Sequence, residues 1–145
     1  MNRTYTIREL AREFGLTARA IRFYEDRGMI APARVGQTRL FSHRDKVRLS
    51  FIVRGKRVGF CLADIKEMLD LYDLAGPTAQ LAVSVKKFRA RITELEAQRE
   101  EIDLAIAELK HSTAMAEASL AENAKNEPVD LIGYGLKTNG ATSAG

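Results

Sequence analysis

Tryptophan is absent from this chain of 145 residues, and cysteine occurs once, at Cys61. A single thiol excludes a disulfide framework within the chain. It also leaves too few soft ligands for a thiolate metal site. Cys61 stands where a serine or threonine would cap a helix, and it reads as a buried or capping thiol. Histidine is scarce as well: His43 and His111 lie far apart. There is no HExxH, no glycine-rich phosphate loop and no GxSxG. The expectation is therefore no catalytic residue, no metal ligand and no cofactor. Long apolar runs are missing too. None approaches the ~20 residues that a bilayer span requires. The opening MNRTYTIREL lacks the apolar core of an export signal. A bacterial-type cytoplasm and no membrane partner are expected.

What the chain does have is arginine at one end. Its net charge of +4 hides an uneven division. Residues 1–60 carry +9, with 12 arginines, whereas residues 61–145 carry −5. A basic head on an acidic stalk suits a protein whose one end meets a polyanion. A hydrophobic content of 46% is ample for a packed core.

The head is punctuated like a helix-turn-helix. Thr6 and Glu9 form a capping box ahead of a helix with Ile7, Leu10, Ala11 and Phe14 on one face. Gly15 stops it. Thr17 caps a second helix running to about Arg27, with Ala20, Ile21 and Tyr24 at helical spacing. After Gly28, Met29–Ile30 and residues 39–41 flank Pro32 and Gly36, which predicts two short strands and a loop, a β-wing. Ser42 and Asp45 predict a third helix carrying Val47, Leu49, Phe51, Ile52 and Val53. A fourth starts at Cys61 or Leu62 and uses Ile65, Met68, Leu69 and Tyr72. Gly76-Pro77 marks a hinge or a new helix start.

From Thr78 a heptad takes over. Leu81, Val85, Phe88, Ile92, Leu95, Arg99, Ile102, Ile106, Leu109, Thr113, Ala116 and Leu120 follow at alternating steps of four and three. Ten of these twelve positions are apolar, so one stripe faces a partner helix. Such a helix extends ~60 Å and cannot bury its stripe alone in a chain this small. A homodimer is expected, with Leu81, Val85, Phe88, Ile92, Leu95, Ile102, Ile106 and Leu109 as its dimerisation residues; the alternative folds this helix back on its own head. Arg99 and Thr113 break the seam and are placed to set its register. The fold class is mainly α: a winged helix-turn-helix DNA-binding head at 4–75, a long dimerisation helix at 76–124 and a flexible tail at 125–145, in which Leu131, Ile132 and Tyr134 are the docking candidates.

An arginine-bearing helix followed by an arginine-bearing hairpin is a means of gripping a duplex. The helix fills a major groove and the hairpin presses on the adjacent backbone or minor groove. Arg19 and Arg22 lie one turn apart, one suited to a guanine edge and the other to a phosphate, unless they pair with Glu25 or Asp26. Phe23 and Tyr24 are adjacent and cannot share a core face. Tyr24 is assigned partly to packing and Phe23 nearer the DNA, with a purely structural role open for either. Thr17 and Ala18 suit a phosphate or a thymine methyl. Arg34 and Arg39 are the wing's backbone or minor-groove candidates. Lys56 and Arg57 are either further phosphate contacts or a solvated face. A coiled-coil scaffold, an architectural DNA binder without an effector and, more weakly, a metal or redox sensor built on Cys61 are the competing readings.

These residues resemble the MerR family of bacterial transcription regulators. The likeness lies in Thr6–Ile7, Gly15, Thr17, Arg22-Phe23-Tyr24-Glu25, Gly28, Pro32, Arg34, Gly36, Arg39 and Phe41, then Val58-Gly59-Phe60 and residues 62–69. The family usually reads R-Y/F-Y-E, G-L-L-x-P-x-R and G-x-R-x-Y. Here Met29-Ile30 replace the leucines and Phe41 the last tyrosine. The resemblance implies a winged-helix dimer joined by an antiparallel coiled coil. It implies binding to palindromic promoter DNA whose elements are spaced too widely for RNA polymerase, which meets the regulator through the promoter. An effector then makes the dimer distort that DNA. Arg22, Phe23, Tyr24, Arg34 and Arg39 match the family's DNA-contact positions. The metal-responsive branches carry cysteines at the start of the dimer helix and beyond it, and this chain has none from Thr78 onward. The head looks most like the branch that controls leucine/isovalerate and acyl-CoA breakdown. That likeness implies a small organic or acyl-CoA effector.

Overall fold

The computed structural model describes residues 3–123. The expected tail at 125–145, with Leu131, Ile132 and Tyr134, lies outside the described residues. Four helices and one hairpin follow in order: α1 (Ile7–Phe14), α2 (Ala18–Asp26), β1 (Ala33–Val35), β2 (Thr38–Leu40), α3 (His43–Arg57) and α4 (Leu62–Asn123).

Local chemistry fixes the helix ends. The Thr6 hydroxyl accepts from the Glu9 amide at 3.2 Å, while the Thr6 amide donates to the Glu9 carboxylate at 2.7 Å. That second bond is the main reason the Glu9 pKa is lowered. Thr17 caps α2 by accepting from the Ala20 amide at 3.1 Å. Ser42 and Asp45 form a second capping box at the start of α3. Gly15 ends α1 in the left-handed conformation.

The hairpin differs from the expectation. Its strands are Ala33–Val35 and Thr38–Leu40, paired antiparallel with Arg34 opposite Arg39. Met29 and Ile30 are not strand residues; both are buried in the core. Two large apolar side chains in succession cannot alternate across a half-exposed strand. Their backbone is also engaged elsewhere. The Met29 amide donates to the Tyr24 carbonyl at 3.0 Å, and the Ala31 amide donates to the Asp45 carboxylate at 3.0 Å. Phe41 leaves the hairpin to pair with Tyr5 through two reciprocal backbone bonds of 2.8 Å.

Leu10, Ile21, Phe41, Leu49, Ile52 and Ile65 are fully buried together, so α1, α2, α3, the start of α4 and the base of the wing share one core. Each such side chain contributes ~1.5–3 kcal/mol. A close approach of α3 to α4 depends on Gly55, where a Cβ would lie 2.9 Å from Ile65 Cγ1 and Cδ1. Val47 and Tyr72, expected among the apolar positions of their helices, are exposed.

Helix α4 is broken at Gly76, whose φ of 84° and ψ of −179° suit glycine alone. Pro77 follows as the first residue of a new helical turn. The segment 77–91 then returns antiparallel along 58–70. Gln80 donates to the Met68 carbonyl at 3.1 Å. Lys87 bridges Asp64 at 2.8 Å and Glu67 at 3.0 Å. Phe88 meets Phe60 with ring centroids 5.8 Å apart, and Arg91 donates to the Val58 carbonyl at 2.7 Å. The first compact unit therefore ends at Arg91. The second, from Ile92, is described as the rest of α4 to Asn123. Along it Ile92, Leu95, Ile102, Ile106, Leu109 and Leu120 are exposed.

The Asp64 carboxyl is held below its ordinary 3.8, first by the Lys87 bond and then by the Cys61 thiol. Its folded pKa thus lies below its unfolded one. The stability it contributes is present above the unfolded value and is lost as pH falls through the folded one. We expect Asp64→Asn to flatten the dependence of unfolding free energy on pH below about pH 4. Urea unfolding from pH 6 downward checks this; parallel curves for the two proteins would refute it.

Candidate nucleic-acid interface

Helix α2 has two faces because its apolar residues recur at helical spacing. Ile21 and Tyr24 point into the core, and Arg19, Arg22 and Phe23 point out. Among the described residues, neither Arg19 nor Arg22 is paired with Glu25 or Asp26. Both guanidiniums stand exposed one turn apart. Phe23 is 41% exposed, with the Arg27 guanidinium 5.0 Å from its ring centre and its ring edge-on to Tyr24. Tyr24 is 6% exposed, and burial pushes its phenol pKa up. Its hydroxyl therefore stays protonated at neutral pH. Thr17 is exposed at the helix start with its hydroxyl committed to the cap, and Ala18 is half-buried beside it.

Glu25 is the residue that joins helix to wing. Its carboxylate accepts from Arg39 Nε at 2.7 Å and lies 3.6 Å from Arg34 Nη2. Arg34 and Arg39 face each other across the hairpin, so one carboxylate meets both strands. The Arg39 side chain is 22% exposed and spans the gap between α2 and β2, whereas that of Arg34 is half-exposed and points outward. Arg39, expected as a wing contact to DNA, is thus a strut within the head as well. Lys56 and Arg57 are exposed on the last turn of α3, where cations also suit the helix dipole.

Several residues that shape this surface were not singled out for it from the sequence. Asp45 is buried and satisfied on both oxygens: Oδ1 accepts from the Ala31 amide, and Oδ2 accepts from the Ser42 amide and hydroxyl, each at 3.0 Å. It both caps α3 and holds the approach to the wing. Arg48, on the next turn of α3, donates to the Met29 carbonyl at 2.6 Å. From the sequence Glu25 stands in the R-F-Y-E motif as a possible partner of Arg19 or Arg22; its pairing with the wing is what the structure adds. Cys61 is exposed, and its thiol donates to the Asp64 carboxylate at 3.2 Å. Among the described residues, no three His, Cys, Asp or Glu side chains group so as to hold a metal ion. No helix there is long and apolar enough to cross a membrane.

Two family models match the chain. The MerR HTH family regulatory protein model covers residues 5–71, and the MerR DNA-binding model covers residues 47–112. A transcriptional regulator from Haemophilus influenzae described as a ZntR homolog is 32% identical over 93 residues, 59% of this chain and 69% of its own. The chain belongs to the MerR family. Its relatives are transcriptional regulators, among them CueR of Salmonella typhimurium, 27% identical over 124 residues, 81% of this chain and 89% of CueR. The crystal structure of HiNmlR, a MerR family regulator lacking the sensor domain and bound to promoter DNA, superposes with a TM-score of 0.61 at 25% identity. That match covers 87% of this chain and 98% of HiNmlR. This MerR-family chain is accordingly a DNA-binding transcriptional regulator rather than an enzyme.

The Glu25 strut leads to a prediction that opposes simple electrostatics. Removing a carboxylate beside a DNA-binding surface should strengthen attraction to phosphate. Freeing the wing should weaken the grip. We expect Glu25→Gln to lose about 1 kcal/mol of operator affinity, the order of one charge-assisted bond. Fluorescence anisotropy at fixed salt measures it, and tighter binding by the variant would refute the strut.

Proposed function

We propose that this regulator acts as a homodimer that binds a palindromic promoter operator and distorts it. The observation that carries the reading is the Glu25 linkage, which locks α2 and the hairpin together while Arg19, Arg22 and Arg34 face outward. In this arrangement α2 enters the major groove. Arg22 reads a base edge, Arg19 takes a phosphate, and Phe23 lies against the backbone. Thr17 and Ala18 approach at the helix start, and Tyr24 presents its hydroxyl from a packed ring. Arg34, with Arg39 behind it, meets the flanking backbone or minor groove, and Lys56 and Arg57 add phosphate contacts.

The dimer reading is supported by the stalk. Leu81, Val85, Phe88, Ile92, Leu95, Ile102, Ile106 and Leu109 fall on one heptad stripe and are exposed in the single chain. A second copy, antiparallel as in the resemblance, buries them and sets the spacing of the two heads. Duplex deformation then contributes to selectivity, with the cost of bending offset by added contacts. RNA polymerase is met through the promoter, which places the protein in the cytoplasm. The narrower assignment, to branched-chain amino acid or acyl-CoA catabolic genes with an organic or acyl-CoA effector, rests on the resemblance of the head.

Binding to the chain's own upstream DNA, against a scrambled duplex across a salt series, tests the reading. Preference for the upstream DNA is expected to persist at salt concentrations where binding to the scrambled duplex fades. Equal affinity for both would end the proposal. Arg22→Ala is expected to weaken specific binding by ~1–3 kcal/mol and to relax preference at one base pair of each half-site. Unchanged affinity and preference would remove Arg22 from that role.

A further inference from the structure

Residues 29–31 connect the DNA-reading helix to the wing, and α3 holds that connector by two side chains one turn apart. Asp45 takes the Ala31 amide and Arg48 takes the Met29 carbonyl. The two anchors differ in what else they hold. Asp45 spends its remaining capacity on the cap of its own helix. Arg48 reaches a third element. Its Nη1 donates to the Leu69 carbonyl at 3.3 Å and to Asp73 at 3.2 Å, and its Nη2 donates to Asp70 at 3.3 Å. Leu69, Asp70 and Asp73 belong to the last turns of α4 before the break at Gly76.

The placement of these carboxylates is informative. Asp70 and Asp73 sit at the C-terminal end of a helical segment, where the dipole disfavours negative charge. Burial raises the Asp70 pKa, and the bonds from Lys66 and Arg48 more than offset it. Asp73 is shared between Arg48 and Arg44. Two acidic groups are thus kept at the unfavourable end of a helix by cations from α3 and from Lys66. The Arg48 side chain is only 11% exposed, and its guanidinium is planar and rigid. The stretch of α4 before Gly76 and the Met29 carbonyl are held by the same planar group, so a shift of one displaces the other.

We propose that Arg48 is a positioning residue that sets the angle between α2 and the wing according to the position of the helix before Gly76. It touches no DNA. It links the corner from which the stalk helix departs to the geometry with which the head deforms its operator. The inference rests on the operator-distorting function proposed above.

The test uses the full chain and an operator duplex carrying 2-aminopurine at its centre. Anisotropy reports affinity, and 2-aminopurine fluorescence reports unstacking. Asp70→Ala with Asp73→Ala removes both side-chain bonds from α4 to Arg48, leaves its bonds to the Leu69 and Met29 carbonyls, and removes two charges from the wrong end of a helix. This variant is expected to bind within about threefold of the parent, while the fraction of bound operator that is unstacked falls by about tenfold, a coupling of ordinary size. Arg48→Met is expected to lose the same signal. Arg48→Lys, which keeps the charge but lacks the planar fork, is expected to bind as the parent does and still to lose unstacking. An aspartate variant that unstacks the operator as the parent does overturns the inference. So does one whose affinity, thermal stability and unstacking decline together, since that is the mark of a merely structural role. If the parent protein itself neither prefers nor unstacks the operator, the functional reading fails first and the inference falls with it.

Discussion

Two three-residue strands cannot hold their shape in water, because too few ladder bonds and too little apolar face oppose the entropy of the chain. The wing of this protein is such a hairpin, and its usefulness depends on being fastened from outside. Three fasteners do this. Glu25 binds Arg39 from α2, Asp45 binds the Ala31 amide from α3, and the Tyr5–Phe41 bridge ties the end of β2 to the start of α1. The first holds a strand of the hairpin itself, and the other two hold the residues that enter and leave it. The outward arginines of α2 and the wing are therefore presented together, in the arrangement these fasteners set, as recognition of a regular duplex demands.

The same economy governs polar groups in the interior. Asp45 is buried with both oxygens satisfied. Among the described residues, no buried side-chain nitrogen or oxygen lacks a partner. Half-satisfied networks are costly, and satisfied ones define a unique geometry. In this head the polar bonds cluster where elements meet at their ends, and the apolar residues fill the centre.

Features encoded within four residues of one another were legible in the sequence. The capping boxes at Thr6–Glu9 and Ser42–Asp45, the Thr17 cap, the Gly15 stop and the Gly76-Pro77 corner all depend on local chemistry. The wing was legible as a hairpin but not in its bounds. Met29 and Ile30 have strong strand-like character, and only the core that surrounds them shows that they are plugs. The Arg48 cluster was illegible for a related reason: its partners lie 19 to 25 residues away, and no spacing rule connects them. Glu25 illustrates a third case. Its position was plain, but its task appears only when the two hairpin arginines are brought to it.

The reversal at Gly76 is made by one residue. Helix gives way to helix with no extended stretch between. A protease needs several residues in open, strand-like form to fit its cleft, and this corner offers none. The returning segment 77–91 is also pinned by Lys87, Phe88 and Arg91. The bend therefore gives the chain a sharp change of direction without the vulnerable linker that usually accompanies one.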